Sequence, residues 1–150
     1  IRNSNFYFSG NDALDFSGSY VLINQTKAIN VKDKAVSAGE TSNLNIKNSN
    51  FNNIGVGVAS KDGSSVTISN SVISDYKLYA AMSYIKKDFY TTMTDLSINN
   101  SSVSGGNSYK RQKGTKMSVD NVDIPESDIS IKKLYKTNVM AKWVQIIGMR

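Results

Sequence analysis

The chain repeats one short pattern at a nearly constant interval. Leu44-Asn45-Ile46-Lys47-Asn48-Ser49-Asn50-Phe51 is followed 22 residues later by Val66-Thr67-Ile68-Ser69-Asn70-Ser71-Val72-Ile73. A unit of about 20 residues cannot bury its own apolar face and must stack on copies of itself, which makes a solenoid.

With the isoleucine as position zero, the pattern recurs at Ile1, Ile23, Ile46, Ile68, Ile98 and Val119, with spacings of 22, 23, 22, 30 and 21. Two residues earlier stand Val21, Leu44, Val66, Leu96 and Met117. Five residues later stand Phe6, Ala28, Phe51, Ile73, Val103 and Ile124. Apolar residues at alternate positions describe a strand with one face inward.

Two residues after zero comes a polar column: Asn3, Gln25, Asn48, Asn70, Asn100 and Asn121. Asn tolerates the left-handed backbone of a tight corner. Strands stacked about 4.8 Å apart would also let these amides bond up and down the stack. The column is therefore expected to form a structural ladder.

A second strand region follows in each coil: Ala13–Phe16, Ala35–Ala38, Gly57–Ser60 and Tyr79–Met82, each ending in a polar turn. Small residues there suit a narrow interior. The expected fold is all-β: a right-handed parallel β-helix of about six coils. Residues 1–136 carry the coils and 137–150 a C-terminal cap or tail. Val139, Met140, Trp143, Val144 and Ile147 fall at helical spacing, so a short helix suits that cap. Ile1 already sits at position zero, which suggests a piece of a longer chain with other domains upstream.

Composition narrows the chemistry. The single Pro fits stacked strands, because Pro removes a ladder donor. Without Cys or His there is no thiol nucleophile and no imidazole base or ligand. No metal or other cofactor is expected, and no stretch is apolar enough to span a bilayer. Nine basic against four acidic residues make 110–150 the basic end. No nucleic-acid motif accompanies that charge, so nucleic acid is not expected as a partner. The charge can equally serve an anionic polymer or keep an exposed strand edge from pairing.

The one long spacing marks a bulged coil rich in aromatics and lysines, from which Tyr76, Tyr84, Lys86, Lys87 and Tyr90 are the candidate ligand-binding residues. Insertions in solenoids often form the binding face, and aromatic rings beside Lys suit sugars. Alternatively the rings pack the loop onto the coil and the lysines are simply solvated.

The runs Asp12–Ser19, Lys34–Glu40, Ala59–Ser64 and Tyr84–Lys87 resemble the β-helix region that accompanies spore-coat CotH-type kinase-like domains in bacterial surface proteins. The wider relative is the pectate-lyase-like superfamily. The likeness spans residues 10–136. It implies a right-handed parallel β-helix in an extracellular or cell-envelope setting. It implies no kinase activity, because no ATP-binding motif is present.

Two functions fit. The first is a non-catalytic module of a secreted or cell-surface protein that binds polysaccharide, an anionic one where lysines meet it, or acts as a structural spacer. The alternative is a polysaccharide lyase or glycoside hydrolase using Asp12, Asp15, Glu40, Lys61 and Asp62, since carboxylates about 5 to 10 Å apart can cleave a glycosidic bond. Convergence of these carboxylates in a groove would favour the enzyme.

Overall fold

The computed structural model describes residues 1–137. The first strands are β1 (Asn5–Tyr7), β2 (Leu14–Ser17) and β3 (Tyr20–Asn24). The regular coils then alternate long and short strands: β4 (Lys27–Gly39), β5 (Asn43–Lys47), β6 (Asn50–Lys61), β7 (Ser65–Ser69), β8 (Val72–Tyr84) and β9 (Asp95–Asn99). The last coils hold β10 (Ser102–Ser104), β11 (Tyr109–Gln112), β12 (Lys116–Val119), β13 (Val122–Asp123) and β14 (Glu126–Ser127), and a single turn of helix, α1 (Ile131–Leu134), follows.

The short strands β3, β5, β7, β9 and β12 pair in parallel as one sheet. The long strands β4, β6 and β8 form the centre of the other sheet, again in parallel. The result is an all-β parallel solenoid of about five turns. The first expected coil is incomplete in the short-strand sheet, where Ile1 is 38% exposed and only a bridge between Arg2 and Asn24 forms, while its β1 and β2 pair with β4.

The zero column is one row of register partners, Ile23–Ile46–Ile68–Ile98–Val119. Its four isoleucines are buried, as are Leu44, Val66, Leu96 and Met117 two residues earlier. Each such side chain is worth about 1.5–3 kcal/mol once removed from water. The row Phe6–Ala28–Phe51–Ile73–Val103 lines the other sheet in the same way.

All six residues of the polar column are left-handed, with φ from 47 to 64°. Their side chains, however, lie at the surface. The amides bond along the column at one step, Asn100 to Asn70 at 2.6 Å, while Asn48 donates to Asn24 instead. The buried ladder of this corner stands one residue further on and is made of hydroxyls. The Ser49, Ser71 and Ser101 Oγ atoms accept from the backbone N–H of Thr26, Ser49 and Ser71, at 3.1–3.2 Å. The same hydroxyls donate to the carbonyls of Lys47, Ser69 and Asn99. A hydroxyl can accept and donate at once, which suits a buried corner where each backbone group needs a partner. Ser49→Ala is therefore expected to cost about 1–3 kcal/mol by orphaning the Thr26 N–H. Asn48→Gly, which keeps the left-handed backbone accessible, is expected to cost under about 1 kcal/mol. Equal shifts of the two urea midpoints would remove the hydroxyl ladder as the support of this corner.

A second left-handed column, Phe8, Asn30, Asn53 and Asp75, bends the long strands. Just past it the register slips: Val31 pairs with Ile54, but Lys34 pairs with Val56. The slip puts Lys32 and Asp33 opposite Gly55 alone. A bulge of this kind re-aims the side chains that follow.

At the C-terminal end, β13 turns antiparallel to β12 and closes the short-strand sheet. The Arg111 guanidinium braces this end by donating to the carbonyls of Thr115 and Ile124 and to Glu126. Helix α1, with Ser130 as its N-cap, lies elsewhere. Leu134 and Tyr135 pack with Val56, Ala59, Met82 and Tyr84. The alternate residues Val58 and Ala81 of the same strands face the central core, so the segment covers the outer side of the sheet and not the end of the stack. The helical stripe from Val139 to Ile147 lies outside the described residues. Among the described residues no helix is long and apolar enough to cross a membrane.

Candidate functional site

Six of the charged residues singled out from the sequence meet at one place. Asp15, Glu40, Lys61, Asp62, Lys86 and Lys87 line a pocket of about 120 Å³, with Ser17 and Gly39 in its wall. The period explains the meeting. Ser17 and Gly39 are register partners on β2 and β4, Lys61 closes β6, and the turn after each strand stacks on the turn before. The eight or so extra residues of the long coil fall after Tyr84, where β8 ends, and so deliver Lys86 and Lys87 to the same corner.

The acids are not equally free. Asp62 Oδ1 accepts the backbone N–H groups of Lys86 and Lys87, each at 2.7 Å, and so anchors the start of the bulge. Glu40 pairs with the Lys87 ammonium and accepts from the Ser17 hydroxyl at 2.7 Å. The Lys87 and Ser17 bonds hold the Glu40 carboxyl below its ordinary range. Asp15 has no hydrogen-bond or ion-pair partner among the described residues. Glu40 and Asp62 are thus both hydrogen-bonded within the corner.

Three lysines near this corner, Lys34, Lys87 and Lys61, have three different environments. Lys34 is 3% exposed and sits between Asp12, at 3.1 Å, and Asp33, at 2.9 Å. Burial alone would lower its pKa, but Asp12 and Asp33 outweigh this and raise it. Burial raises the Asp33 carboxyl to about 6, against the pull of Lys34. Lys87 is neutralised by Glu40. Lys61 is 9% exposed, and its ammonium has no hydrogen bond or ion pair among the described residues. Burial, reinforced by the Lys34 charge, lowers its pKa despite Asp15 and Asp12.

The aromatic residues divide differently from expectation. Tyr76 is in the core, 8% exposed, beside Ile54 and hydrogen-bonded to Ser108. Tyr84 is fully buried, and its hydroxyl meets that of Tyr135 at 2.9 Å. Neither can stack on a surface ligand. Tyr76 points inward because its strand position does. Tyr84 points outward, but the α1 segment covers it. Tyr90 stacks on Phe89 on the bulge, ring centroids 4.7 Å apart, and is not part of the pocket. Lys86 lies over the Tyr135 ring, 4.4 Å from its centre.

Asp12 also stands apart: it belongs to the Lys34 cluster beneath the pocket. Asp33 and Tyr135 are the residues that sequence reasoning missed. A signal for Asp33 existed, since the Ile23 to Ile46 spacing is 23 where its neighbours are 22, and the extra residue lies in the bulge. Nothing local marks Tyr135, which reaches Tyr84 across 51 residues of sequence. Comparison with known protein families, with curated proteins and with solved structures finds no match for this chain, so its family resemblance rests on the short runs alone.

Proposed function

We propose that this solenoid is a non-catalytic module that binds an acidic polysaccharide at the Lys61 corner. The observation that carries the reading is the pocket's unbalanced functionality. Asp62 and Glu40 are already engaged, which leaves Asp15 as the free acceptor, and Lys61 with Lys86, the latter over the Tyr135 ring, as ammonium donors with no carboxylate partner among the described residues. A uronate residue offers a carboxylate to the lysines and hydroxyls to Asp15. At about 120 Å³ the pocket holds one substituent of a sugar ring, and the chain would run on across the stacked turns. The runs shared with the CotH-associated β-helix region support a secreted or envelope setting, beside other domains of the same chain.

Titration of the protein with polygalacturonate and alginate tests this. Binding is expected to weaken as salt rises, because exposed charges are screened beyond about 8 Å at physiological ionic strength. Lys61→Met, and Lys86→Ala with Lys87→Ala, should each weaken binding about tenfold, or about 1.4 kcal/mol. Lys132→Ala, on α1 away from the pocket, should leave it unchanged. Uniform behaviour of all three variants would sink the reading. One observation favours a lyase instead: the Lys61 amine, lowered by burial beside Asp15, resembles a base for uronate proton abstraction. Ultraviolet-absorbing unsaturated sugar ends, lost in Lys61→Met, would select the lyase. Neither binding nor cleavage would leave a rigid spacer.

A further inference from the structure

The geometry points to Lys61 as a covalent capture site, whose ε-amine condenses with the carbonyl carbon of a small anionic aldehyde or keto acid. This goes beyond the glycan reading, shares only its pocket, and needs no polymer.

Lysines with buried stems normally have a counter-ion, because an isolated buried ammonium is costly. Lys34 has two carboxylates and Lys87 has one. Lys61 has none among the described residues, although four acids are close by. Each nearby acid except Asp15 is directed elsewhere: Asp12 to Lys34, Glu40 to Lys87 and Ser17, and Asp62 to two backbone N–H groups. The Lys61 stem lies flat over Gly39, close enough that a Cβ there would stand 3.6 Å from Cε. The amine therefore ends at the pocket with no acceptor within hydrogen-bond distance among the described residues, beside other cations.

That is the arrangement that produces a nucleophilic amine, since the neutral form attacks carbonyl carbon. Burial and the Lys34 charge act in the same direction. The pocket, about 120 Å³ and partly open to solvent, admits a group of two or three carbons. Lys86 supplies a cation for the ligand's carboxylate. The step is balanced without oxidant or reductant. The nitrogen lone pair forms a C–N bond as the carbonyl π pair moves to oxygen. Asp15 can take the ammonium proton and return it to that oxygen, and loss of water leaves the imine.

The test is reductive trapping of the full 150-residue chain with glyoxylate and cyanoborohydride at pH 7, read by peptide mass mapping. Lys61 is expected to gain the carboxymethyl adduct about tenfold faster than exposed Lys47 and Lys132. It should favour glyoxylate over uncharged glycolaldehyde. Lys61→Arg, which keeps the charge and the stem, should lose that adduct with the remaining pattern unchanged. If it does not fold, the wild-type map alone decides. Labelling of Lys61 no faster than the exposed lysines would overturn the assignment, and equal rates with glycolaldehyde would overturn its anionic part. Glycan titration reads the binding proposal separately, so either can fail without the other.

Discussion

Lys34→Ala is expected to destabilise the protein by about 3–5 kcal/mol, the range for removing one partner of a buried ion pair. The ammonium is 3% exposed and bridges Asp12 and Asp33. Without it two carboxylates face each other under the Tyr135 segment with no cation between them. The loss would appear as a lower urea midpoint with unchanged slope. Adding Asp33→Asn should recover part of it, because the variant then has one charge fewer to leave unpaired. No recovery would mean that the cost comes from lost packing of the lysine stem.

The same cluster sets a pH dependence. Asp33 titrates at about 6 when folded, against 3.8 for an ordinary Asp. Between those values the folded chain holds more of the proton than the unfolded chain. This carboxyl therefore makes stability fall as pH rises from about 4 to 6, by on the order of 3 kcal/mol, and adds nothing further above that. Thermal unfolding of the parent and of Asp33→Asn across this window should diverge with that sign. Parallel curves would show that burial does not hold the proton on Asp33.

Gly57→Ala is expected to cost about 3 kcal/mol or more, at the upper end for overpacking a core. The reason is contact and not backbone conformation. A Cβ on Gly57 would lie 2.2 Å from the Ala80 carbonyl oxygen and 2.8 Å from Ile73 Cγ2. The oxygen belongs to the next coil, which β6 and β8 hold in register on both sides of the site, so it cannot retreat alone. Gly10→Ala, where the new methyl meets nothing within 4 Å, should change stability by less than about 0.5 kcal/mol. Matching melting temperatures for the two variants would show that the coils separate easily, against the close stacking described above.

Much of the architecture was legible because a solenoid translates sequence period directly into contact. Residues 22 apart become neighbours, so Ile46 and Ile68 can be paired from the sequence alone. The left-handed corners were legible too, since Asn at a fixed offset reports local backbone preference. The hydroxyl ladder of Ser49, Ser71 and Ser101 was equally present at one offset. It went unread because Ser is common at any turn and its burial has no local mark. The candidate site was half legible. Asp15, Glu40 and Lys61 sit near the ends of stacked strands, and their shared corner follows from the period.

Side and cover were decided by the tertiary structure. Tyr76 faces inward because the left-handed Asp75 shifts the alternation by one residue after Ile73, as Asn53 does between Phe51 and Ile54 on the neighbouring coil. Tyr84 faces outward and is buried all the same, because Leu134 and Tyr135 return across the sheet. That return also brings Tyr135 close to Asp33 and Lys34, beside the buried pair whose charges are perturbed. Strand, corner and stacking follow from local conformational preference and the repeat. The state of each ionisable group depends on what lies over it, and a segment 50 or more residues away in sequence supplies that cover by burying its own apolar side chains.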